Sequence, residues 1–492
     1  MPRYPSLYQI NTRVRLTELS HALGRTATLD DIDDAELDRI AAQGFDWIWW
    51  LGVWQTGPAA RRISREHAGW REAFVHTLGD LRDEDIGGSG FAIQAYTVHC
   101  DLGGDAALAR LRERMRQRGL KLMLDFVPNH VAPDHRWVQA HPEFFVAGSE
   151  DDLARAPQNY LRVATQDGTR VLACGRDPHS DGWPDTLQLN YAKALLQQAM
   201  IGELQRIAGQ CDGLRCDRAT LLLPELFQRT WGRRCEPFWP RAIAAVRQRQ
   251  PGFAFMADAC SDLAWALQRQ GFDHIGDGRL YERLCEAHSQ PVREHLCAAL
   301  EVQDRLMRCL ESHDAPRAAA TFAHEPHAAA ALLCYATPGM RLFHQGQLEG
   351  RRIRIPAQLV RAPDESVDAR IVAFYVRLLA ALRQPALRDG VWSLLDCREA
   401  WAGNPSDAQF IAWHWQLPGQ PWLCAAVNYA PRAGQCFVRL PEAVLAGRGL
   451  RFRDLLGAAV YEREVEDLAR RGLYLDLPAW GHHLFEVTPV TH

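Results

Sequence analysis

The chain has 492 residues, room for about three units of roughly 150 residues, although one α/β barrel alone fills about 250; a single small binding module is excluded. Apolar residues make up 47% and charged residues 24%, the balance of a folded globular protein and not of a disordered or collagen-like one. Lys plus Arg number 56 and Asp plus Glu 60, a formal charge of −4, which offers no electrostatic footprint for a phosphate backbone, so nucleic acid is not an expected partner.

The N-terminal MPRYPSLYQINTR places Arg3 and Arg13 among polar residues and lacks the apolar core of a signal peptide. No apolar run approaches the roughly 20 residues that cross a bilayer, so no membrane partner is expected either. The 13 Cys are odd in number, run from Cys100 to Cys436 and form no CxxC pair. They read as free thiols in a reducing compartment, and the expected location is the cytoplasm.

From there one pattern recurs: an amphipathic stretch, a Gly, a short apolar run, then an acidic or polar end. It predicts helix, C-cap, buried strand and loop. DDAELDRIAAQG leads into FDWIWWLGVWQ, with Leu37, Ile40 and Ala41 on one face. GDAALARLRERMRQRG leads into LKLMLDFVPNH, AKALLQQAMIGELQRIAGQ into CDGLRCD, WPRAIAAVRQRQPG into FAFMADA, and DLAWALQRQG into FDHIGD. Short apolar strands alternating with helices predict a parallel sheet covered on both faces. Asp125, Asp217, Asp258, Asp277 and Asp314 fall at or just after the C-terminal ends of these strands, which in a (β/α)8 TIM barrel converge on one mouth. No GxGxxG or GxxxxGK[ST] turn speaks for an open nucleotide-binding sheet.

Residues 131–190 interrupt the alternation with a polar SEDD run and many Pro and Gly, and predict a small lobe inserted after strand 3. The barrel is expected over 1–130 and 191–388. Short alternating runs such as QFIAWHW, WLCAAVNYA and CFVRLP predict a C-terminal antiparallel β-sandwich over 389–492.

Four segments carry the chemistry: DFVPNH (125–130), GLRCD (213–217), FAFMAD (253–258) and ESHD (311–314). In this order and on these strand ends they resemble the four signature regions of glycoside hydrolase family 13, the α-amylase family. The resemblance covers nearly the whole chain, including the inserted lobe and the C-terminal sandwich. It implies a retaining α-glycosidase, in which one carboxylate attacks the anomeric carbon and a second carboxyl protonates the leaving oxygen. It makes Asp217 the nucleophile, places Asp258 at the acid/base position and makes Asp314 the stabiliser of the developing sugar cation. Arg215 would keep Asp217 ionised, Asp125 would hold Arg215, and His130 and His313 would contact sugar hydroxyls. Phe91 would stack on the sugar. Asn129 matches a calcium ligand of many relatives, but no partner ligands are identifiable, and no cofactor is implied.

Several positions depart from that pattern. Asp258 stands where the family has Glu, which withdraws the carboxyl by about 1.5 Å, one C–C bond. Asp262, four residues on, is read as the cap of the helix DLAWALQRQ. Phe91 stands in place of Tyr, Ala95 of Asp, Leu221 of His and Ser312 of Asn, so the sugar pocket is expected to be less polar than in a typical amylase. Trp54, near the end of the second strand, is the one Trp of its cluster expected to line the mouth. HEPH (324–327) is expected to be a surface turn, because its Pro disfavours helix. The substrate expected is an α-glucoside or short α-glucan. Glycosyl transfer or isomerisation on the same scaffold, and a carbohydrate-binding protein with impaired chemistry, are the alternatives.

Overall fold

In the computed structural model, which describes residues 1–259 and 263–490, eight parallel strands close into a barrel. They are β1 (Ser6–Asn11), β2 (Trp47–Leu51), β3 (Lys121–Phe126), β4 (Gly213–Cys216), β5 (Ala254–Ala257), β6 (His274–Gly276), β7 (Leu306–Arg308) and β8 (Met340–His344). The ring closes where β1 pairs with β8 through Ser6↔Arg341. Asp262, expected as a helix cap, lies outside the described residues.

The period-two alternation of a strand assigns each side chain of β2 to one layer. Trp47, Trp49 and Leu51 face the barrel interior with Leu7, Met123, Met256, Met307, Met340 and Leu342. Ile48 and Trp50 join the layer between strands and helices. There the helix Gly104–Arg116 buries Ala107, Leu108, Leu111 and Met115, the face its spacing predicts. Gly213 opens β4 with a close approach: a Cβ there would meet Ala254 O at 3.0 Å and Trp47 Cζ3 at 3.1 Å.

Two expectations need correction. Trp54 is fully buried in a short strand, Trp54–Thr56, and donates its Nε1 to Asp125 O at 2.7 Å; it supports the end of β3 and does not line the mouth. HEPH is the first turn of the helix His324–Tyr335, not a surface turn. Pro is tolerated there because first-turn N–H groups have no intrahelical acceptor. His327 is buried against the Tyr375 hydroxyl at 2.8 Å, and His324 Nε2 lies 2.6 Å from Asp368 Oδ2.

Between β3 and β4 the chain forms a separate lobe. His130–Val131 pairs with Leu187–Gln188, and a hairpin joins Tyr160–Thr165 to Gly168–Ala173. Beyond the helix Ala369–Leu382, six antiparallel strands in one sheet and three in another share a core that includes Phe410, Cys424, Cys436, Val438, Phe452, Leu475 and Phe485. Trp413 and Trp415 tie this C-terminal unit to the barrel, both donating to Ala336 O at 2.9 and 2.8 Å. No helix among the described residues is long and apolar enough to cross a membrane.

Candidate active site

Arg215 projects from β4, and the backbone ladder continues past the strand ends to place the carboxylates beside it. Asp217 N donates to Phe126 O at 2.8 Å, and Asp258 N donates to Cys216 O at 3.0 Å. Arg215 Nη1 bonds Asp217 Oδ1, while Nη2 lies 2.9 Å from Asp258 Oδ2 and 3.9 Å from Asp314 Oδ2. One guanidinium thus gathers three carboxylates from three loops. Its carbon sits 5.4 Å from the Trp49 ring centroid and 5.6 Å from that of Phe91, within cation–π range of both rings.

This crowding sets the electrostatics. Burial raises the Asp217 carboxyl above the ordinary carboxylate range, the pull of Arg215 opposes the rise, and the charge of Asp258 adds to it. Arg215, expected to keep Asp217 ionised, does pull its carboxyl down, but burial is the larger effect. For Asp314 burial also acts upward, but His313, Arg215 and Arg218 outweigh it and hold the carboxyl well below its usual range. Burial pushes His130 down to about 3, with Arg218 pushing the same way, which keeps its imidazole neutral.

The remaining expected residues lie around this centre. His313 Nε2 is 3.2 Å from Asp314 Oδ2, and its Nδ1 receives Gln9 Nε2 at 2.8 Å. Phe91 presents one ring face to His313, with centroids 5.1 Å apart and planes 22° apart. Asp125 departs further from expectation. Its carboxylate accepts from Trp49 Nε1 at 2.9 Å and from Gly52 N at 2.7 Å, so it fixes the end of β2 and touches Arg215 through charge alone. Burial lifts its carboxyl to about 6. Asp277 bonds Arg308, lies 2.9 Å from His295 Nε2 and caps the next helix through Leu280 N; it is structural. Glu311 anchors the ESHD segment through Arg317 at 2.6 Å and Ala318 N at 2.8 Å.

Four residues at the site escape a reading by motif: Gln9, Trp49, Trp183 and Arg218. Trp49 had a signal, since the alternation of β2 puts it in the lumen. Arg218 had one too, as a second cation directly after the nucleophile position. Gln9 and Trp183 reach the site only through the fold, the latter with its ring 5.1 Å from that of His130.

At the position that would match a calcium ligand, Asn129 and Gln188 are fully buried and exchange amide bonds. Gln188 Nε2 donates to Asn129 Oδ1 at 3.0 Å and Asn129 Nδ2 donates to Gln188 Oε1 at 3.1 Å. A hard dication takes about 6–8 oxygens, usually with carboxylates among them. A reciprocal amide pair does not fit it.

A model of the α-amylase catalytic domain matches residues 37–159. Over 176 residues the chain is 28% identical to an α-1,4-glucan:maltose-1-phosphate maltosyltransferase of Pseudomonas aeruginosa, covering 34% of this chain and 24% of that protein. Over 302 residues it is 24% identical to the α-amylase MalA of Haloarcula japonica, covering 59% and 40% respectively. The chain thus spans well under half the length of these relatives. The crystal structure of the maltogenic α-amylase AmyB from Thermotoga neapolitana superposes over 99% of both chains with a TM-score of 0.70 at 16% identity, a likeness of fold. With the barrel, the inserted lobe and the four strand-end segments in this order, the chain is similar to the α-amylase family, glycoside hydrolase family 13, in its fold and over the segment that the catalytic-domain model matches.

Proposed function

We propose that the protein cleaves and transfers α-glucosyl units of α-glucosides and short α-glucans by a retaining double displacement. The observation that carries this reading is the contact of Asp217 and Asp258 with adjacent nitrogens of one guanidinium. Two carboxylates held by one guanidinium suit the separation of about 5–5.5 Å used by retaining enzymes.

In the first step an Asp217 oxygen attacks the anomeric carbon. The bond to the leaving oxygen breaks and its electron pair stays with that oxygen, which takes a proton from Asp258 where it needs one. In the second step Asp258 takes the proton of a water or sugar hydroxyl as that oxygen attacks the same carbon and releases Asp217. Asp314 stabilises the positive charge on the ring in both steps. His130 and His313 hold hydroxyls of the bound sugar, and Arg215 and Asp125 position the nucleophile and the floor around it. A sugar acceptor in place of water makes the same chemistry a transfer, the activity named for the maltosyltransferase relative. The described cysteines are all free, which supports a reducing, cytoplasmic setting.

The test is covalent trapping. A fluorinated α-glucosyl donor that slows the second step should add one glucosyl mass to the peptide carrying Asp217, and Asp217→Asn should abolish the adduct. An adduct elsewhere, or none with any α-glucosyl donor, would overturn the reading.

A further inference from the structure

We propose that a cavity beside Asp258 receives an apolar aglycone, so that the preferred substrates are α-glucosides of alkyl and aryl alcohols; this rests on the glycosyl–Asp217 reading above. The cavity holds about 170 Å³ and runs from the mouth into the barrel interior between the ends of β5, β6 and β7. Trp49, Met256, Tyr281, Met307, Cys309 and Leu342 wall it. Asp258 and Asp314 stand at its open rim, with 29% and 49% of their side chains exposed. Asp217 and His130 are not among its described lining residues. The space therefore adjoins the acid/base and not the nucleophile, the side on which the leaving oxygen carries its substituent.

The gap has a local origin. Alternation along β6 turns Ile275 out to the helices and Gly276 in to the lumen. A Cβ on Gly276 would meet nothing nearer than Ala257 O and Met307 Cε, both at 3.7 Å. The backbone of Gly276 lies outside the left-handed region, so conformation does not demand glycine there. What the glycine supplies is room.

The polar groups around this room are already engaged. Asp277 is bound to Arg308 and His295, Glu311 to Arg317 and the Ala318 N–H, and Arg215 to the carboxylates. His313 Nδ1 is held by Gln9 at 2.8 Å, and the Tyr281 hydroxyl is engaged by Thr321 and Cys285, which do not border the cavity. A sugar ring placed here would bury hydroxyls that find only Ser312 and the rim carboxylates, and each unmatched one is costly. An apolar group would meet two thioethers and two aromatic rings. Apolar cavities of about 150 Å³ stay dry and take benzene, so this one suits a phenyl ring or a short alkyl chain.

The chemistry is that of the double displacement. As Asp217 bonds to the anomeric carbon, the bond to the leaving oxygen breaks, that oxygen takes the proton of Asp258, and the alcohol departs whole. In the reverse sense an apolar alcohol in the cavity gives its proton to Asp258, attacks the same carbon and releases Asp217, so such alcohols are acceptors as well.

The experiment measures kcat/KM of wild type, Gly276→Ala and Gly276→Val on methyl, propyl and pentyl α-glucoside, and compares cyclohexyl α-glucoside with maltose. The alkyl leaving oxygens are nearly equal in basicity, so differences along the series report what surrounds the chain. Wild type should gain about threefold or more per methylene until the cavity is full. It should prefer cyclohexyl α-glucoside to maltose by about tenfold or more, because the second ring of maltose carries hydroxyls into the cavity. Valine at position 276 fills the gap, so the pentyl-to-methyl ratio should fall to about one, with Gly276→Ala between. A flat series or a preference for maltose in wild type, or an unchanged slope in Gly276→Val, would overturn the proposal and leave the glycosidase reading standing. Failure of every α-glucoside, with no adduct on Asp217, would sink both.

Discussion

Asp258 lies 2.9 Å from the same guanidinium that bonds Asp217, so the proposed acid/base and the proposed nucleophile share one cation. Removing it by Arg215→Gln leaves three carboxylates facing one another. Asp217 is already raised by burial, and Arg215 is the main force lowering it. The acid limb of the kcat/KM profile should therefore move to higher pH, with kcat down at least about 100-fold. A limb that stays in place would show that Arg215 does not control the ionisation of Asp217.

Asp258→Glu should restore the reach that the shorter side chain gives up. Unactivated α-glucosides, whose leaving oxygen needs a proton, should gain about 10-fold or more in kcat/KM. An aryl glucoside with a good leaving group should change little. Equal effects on the two substrates would mean that reach is not what limits proton transfer.

Trp49→Phe keeps the ring and removes the Nε1–H that serves Asp125 at 2.9 Å. Asp125 is fully buried, and an unsatisfied acceptor there should cost about 1–3 kcal/mol of stability. Denaturant melts should show it. Unchanged stability would argue that the Gly52 N–H alone secures the carboxylate.

Asp185 sits in the inserted lobe, buried, with its Oδ2 lacking a hydrogen-bond partner among the described residues. Burial raises its carboxyl to about 7. Between roughly pH 4 and 7 the unfolded chain has lost this proton while the folded one keeps it, so the group lowers stability as pH rises through that window, with no further change above it. Asp185→Asn should thus lose less Tm than wild type between pH 5 and 8. Parallel Tm curves for the two proteins would contradict this account.

The strands that follow amphipathic helices, β2 to β6, are legible in the sequence because helix, Gly and apolar run come in fixed order. β1 begins six residues from the N-terminus with no helix ahead of it. β7 has only three residues, too few for a periodic signal. β8 follows the helix His324–Tyr335, which is apolar nearly all round and so has no polar face to mark its period. The carboxylates of the site are legible through their spacing and strand-end position. Their partners are not: Gln9 is 304 residues from the His313 it holds, and no local pattern encodes such a meeting. The HEPH segment misled because a Pro marks a helix start as readily as a break.

The four thioethers in the barrel interior, Met123, Met256, Met307 and Met340, make the floor beneath the carboxylates a soft one. Methionine is unbranched and polarizable and fills irregular space by rotating about several bonds. Branched aliphatic side chains in those places would transmit each displacement of a mouth loop into the strands. With methionine the interior absorbs it. Loops over the mouth can therefore shift while the eight strands keep their register.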